Sequence, residues 1–420
     1  MVRSPMRIRW AVLAIGIVGL RYWVLPMVPQ FKSDIESMVS RGLGEQVTIG
    51  EIVAGWSRFH PTLDITDFTV RDKAGNVALS LGKVGVEVAW HSLLVWDLRF
   101  HSIVLDRPAL RVQRAGDGTL SIAGIEIQND LENTSSAGAT EWLLRQGELV
   151  ISGGTVEWID EQRSAPPLLL SDVTFRLVNN FSGLHRVALK ATPPVHLAAD
   201  LDVRGHFRGD TFENFEQFRG EMFAQLKYAD LAAWKPWVDY PFALSTGRGA
   251  IRIWSTVEDG KITEATVDVA LADVKMQLRA DLPVLVLASV EGRLGARETG
   301  KGRGFFGLST RQSSGYRIFA ESFAISLTSA LRHDPANFSL QWERSSGPGE
   351  PSAEAAASDR GEFRVNRLQL APIAEIAETL PLPVALRRVL IAHEPRGTLS
   401  DIAVTWTGDP DAPSTSQARA

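Results

Sequence analysis

The chain has 420 residues, 45% hydrophobic and 22% charged, with 35 Gly, 21 Pro and no Cys. That is the composition of a folded protein of roughly two to four domains, and the missing cysteines exclude disulfides, a thiolate nucleophile and cysteine metal sites. A net charge of −5, with 44 basic residues against 49 acidic ones and no long basic run, argues against nucleic acid as a partner, because affinity there comes mainly from phosphate neutralisation.

At the N-terminus Arg3, Arg7 and Arg9 precede an apolar run from Trp10 to Leu20. Arg21 interrupts it, and Tyr22 to Val28 is apolar again. Trp10 to Val28 has the roughly 20-residue length that crosses a hydrocarbon core, and Arg21 is near enough to its far end to snorkel. No small-x-small site follows the run, so it reads as an uncleaved membrane anchor rather than a signal peptide. The leading arginines favour a cytoplasmic N-terminus, with the rest of the chain outside the cytoplasm. Next, Phe31, Ile35, Met38 and Val39 recur at helical spacing, which predicts a short amphipathic helix at the membrane surface or capping a sheet.

Strands then dominate. "VTIGEIVAGW" (Val47–Trp56) comes first. In "PTLDITDFTV" (Pro61–Val70), Leu63 and Ile65 alternate with polar residues, the rhythm slips at Thr66-Asp67, and Phe68 and Val70 resume it. This is the pattern of one strand with a bulge and one apolar face. Val84, Val86, Val88 and Trp90 alternate strictly, and "LRFHSIVL", "ALRV" and "LSI" follow around Gly/Asp turns. Phe100 and Leu105 share a face only with a bulge at His101-Ser102. Polar residues 129–140 read as a loop and Glu141–Gln146 as a short helix. Further strands run from residue 147, broken by a helical turn or two at Asp230–Val238 and by a hairpin around Glu258-Asp-Gly260. Residues 345–359 read as disordered, and Ala371–Ile391 as a proline-interrupted helical segment before a last strand. Gly/Asp turns between alternating runs predict antiparallel pairing. The expected fold is mainly β, a long curled antiparallel sheet with an N-terminal transmembrane helix and a few short helices. The expected divisions are a membrane anchor at 1–30, a β region with the short helix at 31–128, continuing β structure at 129–343, a flexible loop at 344–360, and a helical segment with a terminal strand at 361–420.

Motifs for catalysis are missing. Gly302-x-Gly304-x-x-Gly307 matches a dinucleotide fingerprint only formally, since no helical pattern follows it. The eight histidines are scattered. His91 and His101 can approach across a hairpin, but without an H-x-x-x-H or H-E-x-x-H pair a polar surface or edge is the plainer reading. Carboxylates such as Asp64, Asp67, Asp106, Glu157 and Asp160 alternate with apolar residues, as on a solvated outer face. The expectation is no enzyme, no cofactor and no metal.

The block Leu81–Ile122 resembles the signature of AsmA-like proteins: an alternating strand, Ser92-Leu-Leu94, two strands joined at Arg107-Pro108, and a Gly-Asp-Gly turn. "GLRYWVLP" (Gly19–Pro26), "GWSRFHPTLDITDF" (Gly55–Phe68) and "WKPW" (Trp234–Trp237) are similar to the N-terminal portion of the YhdP type within that family. The resemblance implies an anchor in the inner membrane with the bulk of the chain in the periplasm. It also implies a sheet curled into an apolar groove that carries phospholipid between inner and outer membrane, here as an N-terminal portion of longer chains. The partners implied are phospholipid acyl chains, the inner membrane, and an outer-membrane or periplasmic partner for the remainder of such chains. The candidate groove lining is Leu63, Ile65, Phe68, Val70, Val84, Val86, Val88, Phe100, Ile103, Leu105, Leu110 and Val112. Two other readings of the pattern are an ordinary sheet core and a periplasmic assembly factor that holds outer-membrane β-strands.

Overall fold

A computed structural model describes residues 18–43, 45–58, 60–71, 75, 77–90, 92, 99–123, 125–127, 144–180, 182–209, 219–299, 315–343, 359–409 and 412–419. The chain divides into two compact units, one of residues 1–192 with 208–215, the other of residues 193–207 with 216–420.

The N-terminal unit begins with a π-type turn, Leu20–Val24, and a 3-10 turn, Leu25–Phe31. Pro26 and Pro29 cannot supply the amide donors that an α-helix needs there. Residues 1–17 of the expected anchor lie outside the described residues, and among the described residues no helix is long and apolar enough to cross a membrane. Helix α1 (Lys32–Leu43) forms where the spacing predicts it.

One strand was expected over 47–56, but two form, β1 (Gln46–Thr48) and β2 (Glu51–Ser57), both antiparallel to β3 (His60–Arg71). Gly50 divides them. Its amide bonds the Thr66 carbonyl at 3.0 Å, and a Cβ there would come within 2.8 Å of the Asp67 Cβ. Asp67 itself is left-handed, with φ 51°, and the facing of β3 slips there, but without the extra residue of the expected bulge: the pairings with β1, β2 and the following strand keep one register across it. Its neighbour β4 (Val77–Val88) slips at the same level, at Gly82-Lys83. The pairs Thr66–Lys83 and Phe68–Leu81 therefore stay in one register, and both strands return their apolar residues to the same side. β5 (Phe100–Asp106) pairs with β4, and the register shifts between Glu87 and Val88 with His101 as the extra residue. This is the bulge that Phe100 and Leu105 require.

β6 (Ala109–Arg114), β7 (Leu120–Ile122) and β8 (Ile125–Ile127) form small antiparallel pairs. β9 (Glu148–Asp160) pairs antiparallel with β10 (Ala165–Asn179), which pairs with β11 (Leu184–Thr192). The expected all-antiparallel sheet is corrected here, because β5 and β6 both run parallel to β9. A parallel pair needs a crossover longer than a hairpin, and residues 115–147 supply it. Local turn residues report hairpins only, so the sequence carried no sign of this pairing. The expected loop at 129–140 lies outside the described residues.

The C-terminal unit is a meander. Its strands are β12 (Leu201–Arg208), β13 (Arg219–Asp230), β14 (Ala243–Glu258), β15 (Lys261–Gln277), β16 (Leu285–Glu298), β17 (Gly315–Ser326), β18 (Arg332–Glu343), β19 (Arg360–Gln369), β20 (Thr398–Asp409) and β21 (Ala412–Arg419). From β13 onward each strand pairs antiparallel with the next. The β14–β15 turn has φ 50° at Asp259 and 70° at Gly260, the two positive values that an Asp-Gly hairpin turn demands. Where a helical turn or two was expected, residues 231–237 form consecutive hydrogen-bonded turns that do not close into a helix. Pro236 withholds a donor there. Between β19 and β20 lie α2 (Leu370–Glu375), a 3-10 turn (Ala377–Thr379) and α3 (Val384–His393), the expected helical segment divided at Pro381 and Pro383.

Candidate functional site: an apolar sheet face

The twelve residues expected to line a groove sit on β3 to β6. All but Leu110 and Val112 belong to one apolar cluster, within which Val70 is 1% exposed and Leu63 9%. Cross-strand pairs Leu63–Val86, Ile65–Val84, Val86–Ile103 and Val84–Leu105 build it. Leu110 and Val112, half-buried on β6, stand outside it. Asp64 and Lys83 occupy the other face, 3.7 Å apart.

Over this part of the sheet the apolar face is covered. Val39 and Ile35 of α1, with Val28, pack into the cluster. Side-chain bonds hold the helix in place: Ile49 N–H donates to Glu36 Oε1 at 2.7 Å, Val47 N–H to Ser40 Oγ at 2.9 Å, and Lys32 Nζ to the Gly50 carbonyl at 2.8 Å. The helix thereby satisfies amides in and beside β1, the short strand it caps.

The C-terminal unit presents a different face. One row of paired residues crosses seven strands: Ile253, Val267, Leu294, Ala320, Phe338, Val365 and Ile402. Two residues along each strand, a second row runs Ala265, Ala296, Ile318, Leu340, Phe363 and Val404. Except for Ala320 and Val365, these side chains remain partly exposed. At one end of the strands the same face is closed. There Leu271, Val274, Leu287, Val290 and Ile325 pack under Ile376, with Leu380 and Tyr240 beside them. Burial pushes the Tyr240 hydroxyl up to about 12, and its O–H donates to the Leu231 carbonyl at 3.0 Å.

Toward the other end, the next row holds Tyr316, Trp342, Gly361 and Trp406. Trp342 and Trp406 have ring centroids 6.1 Å apart. The Trp406 indole lies over Gly361, where a Cβ would come within 2.1 Å of it, so glycine makes room for the ring. The face is thus capped by the helical segment at one end, rimmed by aromatic rings at the other, and apolar between.

The opposite side of the same strands is charged. Arg293 Nε donates to Asp268 Oδ1 at 2.7 Å and also lies 3.9 Å from Glu321, while Arg297 donates to Glu264 at 2.6 Å. The hydrogen bond from Arg293 to Asp268 holds the Arg293 pKa above its ordinary value. A depression of about 820 Å³ is lined by Arg297, Arg317, Glu321 and Arg364 together with Phe319, and Phe338, Val365 and Ile402 of the first row also border it.

The expected lining residues all lie in the N-terminal unit, and the open rows of the C-terminal unit were not among them. Their signal was present in the alternation of "GAIRIW", "YRIFA", "FSLQW" and "EFRV". Alternation marks an apolar face but does not say whether anything covers it. Of the histidine pair singled out, His91 lies outside the described residues, and His101 stacks instead on His60.

No curated protein and no solved structure matches this chain. A family model described as YhdP protein matches residues 2–420.

Proposed function

The chain belongs to the YhdP family, and from that membership and the open face of its C-terminal unit we propose that it carries lipid acyl chains along an apolar sheet. The observation that carries this reading is the pair of partly exposed apolar rows across β14 to β20, backed on the other side by charge. An ordinary core would cover such rows, as α1 covers the N-terminal cluster.

Seven strands spaced ~4.8 Å apart extend the rows over about 29 Å, close to the hydrocarbon thickness of a bilayer. Baring an acyl chain to water costs about 0.8 kcal/mol per methylene, or ~12 kcal/mol for roughly fifteen of them. A chain that slides from one apolar pair to the next never meets that cost at once. Headgroups stay in water beyond the Tyr316–Trp342–Trp406 row, since aromatic side chains with a polar edge suit the boundary between acyl and aqueous regions. No reacting group is needed, so the protein is a carrier and not an enzyme.

In the finer form of the proposal the cargo is phospholipid moving between inner and outer membrane. The segment Trp10–Val28 holds the protein in the inner membrane, and the β units stand in the periplasm. Tyr22 and Trp23, exposed by 66% and 79%, suit the membrane interface.

The test is photo-crosslinking in cells followed by mass spectrometry. A crosslinker at Leu340 or Val267 should capture phospholipid, and one at Gln341 or Asp268, on the other face, should not. Equal labelling of both faces would end the groove reading. Capture of outer-membrane barrel precursors in place of lipid would favour an assembly factor.

A further inference from the structure

We infer that the outer face of the N-terminal unit carries a site for a divalent transition-metal cation, formed by His60, Glu87 and His101. The three residues come from the adjacent strands β3, β4 and β5. The pairing of Thr62 with Glu87 sets Glu87 close to His60, and the register shift in β5 inserts His101 between Ser102, opposite Glu87, and Phe100, opposite Val88. Phe100 and Ser102 are both buried. The Phe100 amide donates to Gln146 Oε1 at 2.8 Å, and the Phe100 carbonyl accepts the Gly147 amide at 2.9 Å. With its neighbours fixed, His101 is turned outward, the way a bulge re-aims one side chain.

The outcome is one potential ligand atom from each residue, all within 4.8 Å of one another. Among the described residues no cation pairs with the Glu87 carboxylate. Two imidazoles and one carboxylate form a donor set for Zn²⁺, Co²⁺ or Ni²⁺, whereas Mg²⁺ and Ca²⁺ prefer oxygen alone.

The rings of His60 and His101 now stack, with centroids 4.4 Å apart and planes 3° from parallel. Imidazole lone pairs lie in the ring plane, so parallel rings cannot both point at one ion about 2.1 Å away. Binding therefore turns one ring. His101 is the exposed member, and its terminal torsion is broad and inexpensive to change. Three protein ligands leave the remaining positions to water. This site faces away from the apolar cluster and is independent of lipid carriage.

The test uses the tag-free full chain, stripped with a chelator and titrated with Co²⁺ alone, then with Zn²⁺ in competition. The expected result is a single equivalent of Co²⁺ with a visible absorption band that Zn²⁺ displaces and Mg²⁺ does not. His60→Ala and His101→Ala should each weaken binding by at least the roughly tenfold that losing even an outer-shell partner costs, while His206→Ala should not. Unchanged melting temperatures confirm that the variants fold. No Co²⁺ binding, or binding that survives the double variant His60→Ala/His101→Ala, would overturn the site.

Discussion

Asp160 has a 2% exposed side chain, yet it is an ion. Burial pushes its carboxyl up. The hydrogen bond from Arg114 (Nε to Oδ1, 2.9 Å), the Arg163 amide at 3.2 Å and the charges of both arginines more than offset this, and the net pKa lies below the usual value. The folded state thus releases this proton more readily than the unfolded chain. The stability it contributes is complete above the unfolded value of about 4 and is lost as pH falls through the lowered folded one. Asp160→Asn should cost roughly 2–3 kcal/mol at pH 7, less than the roughly 3–5 kcal/mol of a fully buried broken pair, because Arg114 keeps 27% exposure. Urea midpoints of wild type and variant should begin to converge as pH falls below about 4 and go on converging through the lowered folded value. A constant gap would mean that the carboxylate charge is irrelevant. At Gly249 the limit is steric instead. Its φ is 155°, and a Cβ would come within 2.0 Å of the Ala270 carbonyl oxygen on the paired strand. Gly249→Ala should destabilise by about 1–3 kcal/mol, lowering the melting temperature by several degrees.

At the scale of elements, α1 is held to the sheet by a few polar bonds and one apolar stripe. Glu36→Ala leaves the Ile49 amide without its acceptor, which costs about 1–3 kcal/mol for a buried donor. The Ile49 and Val47 amides should then exchange hydrogen faster, while the β9–β10 amides hold their rates. If the whole unit lost protection together, α1 would be integral to the fold and not a separable cap. The helical segment at 370–379 plays the corresponding part in the C-terminal unit, where Ile376, with Leu380 just beyond it, closes one end of the strands.

The same substitution should act differently in the two units. Val86 is 5% exposed within a closed cluster, and Arg there buries an unpaired charge at a cost of several kcal/mol. Val86→Arg should unfold the N-terminal unit, visible as lost chevron and thermal transitions. Leu340, partly exposed on the open rows, tolerates Arg because the guanidinium reaches water along a long apolar stem. Leu340→Arg should keep the melting temperature within a few degrees yet sharply reduce the phospholipid that copurifies in mild detergent. Lipid content equal to wild type in a folded Leu340→Arg protein would move the carrier surface elsewhere.

The sequence by itself determined the strands and their sidedness, because a strand shows its face through a period of two that each local run carries. The places where the facing slips were legible too, since Leu63 and Ile65 can share a side with Phe68, and Phe100 with Leu105, only if the chain slips; that β5 does so with an extra residue and β3 without one was not. The Asp259-Gly260 turn was equally legible, as only positive φ at both positions closes it. What the tertiary structure decided depends on distant segments. The parallel pairing of β5 and β6 with β9 rests on a crossover whose path no local residue encodes. The stack of His101 on His60 needs three strands brought side by side. Above all, identical alternation yields a closed core where α1 lies over β3 to β5 and an open apolar face across β14 to β20. Whether apolar side chains meet protein or remain available to a guest is settled by what packs against them, and that partner lies outside the strand's own sequence.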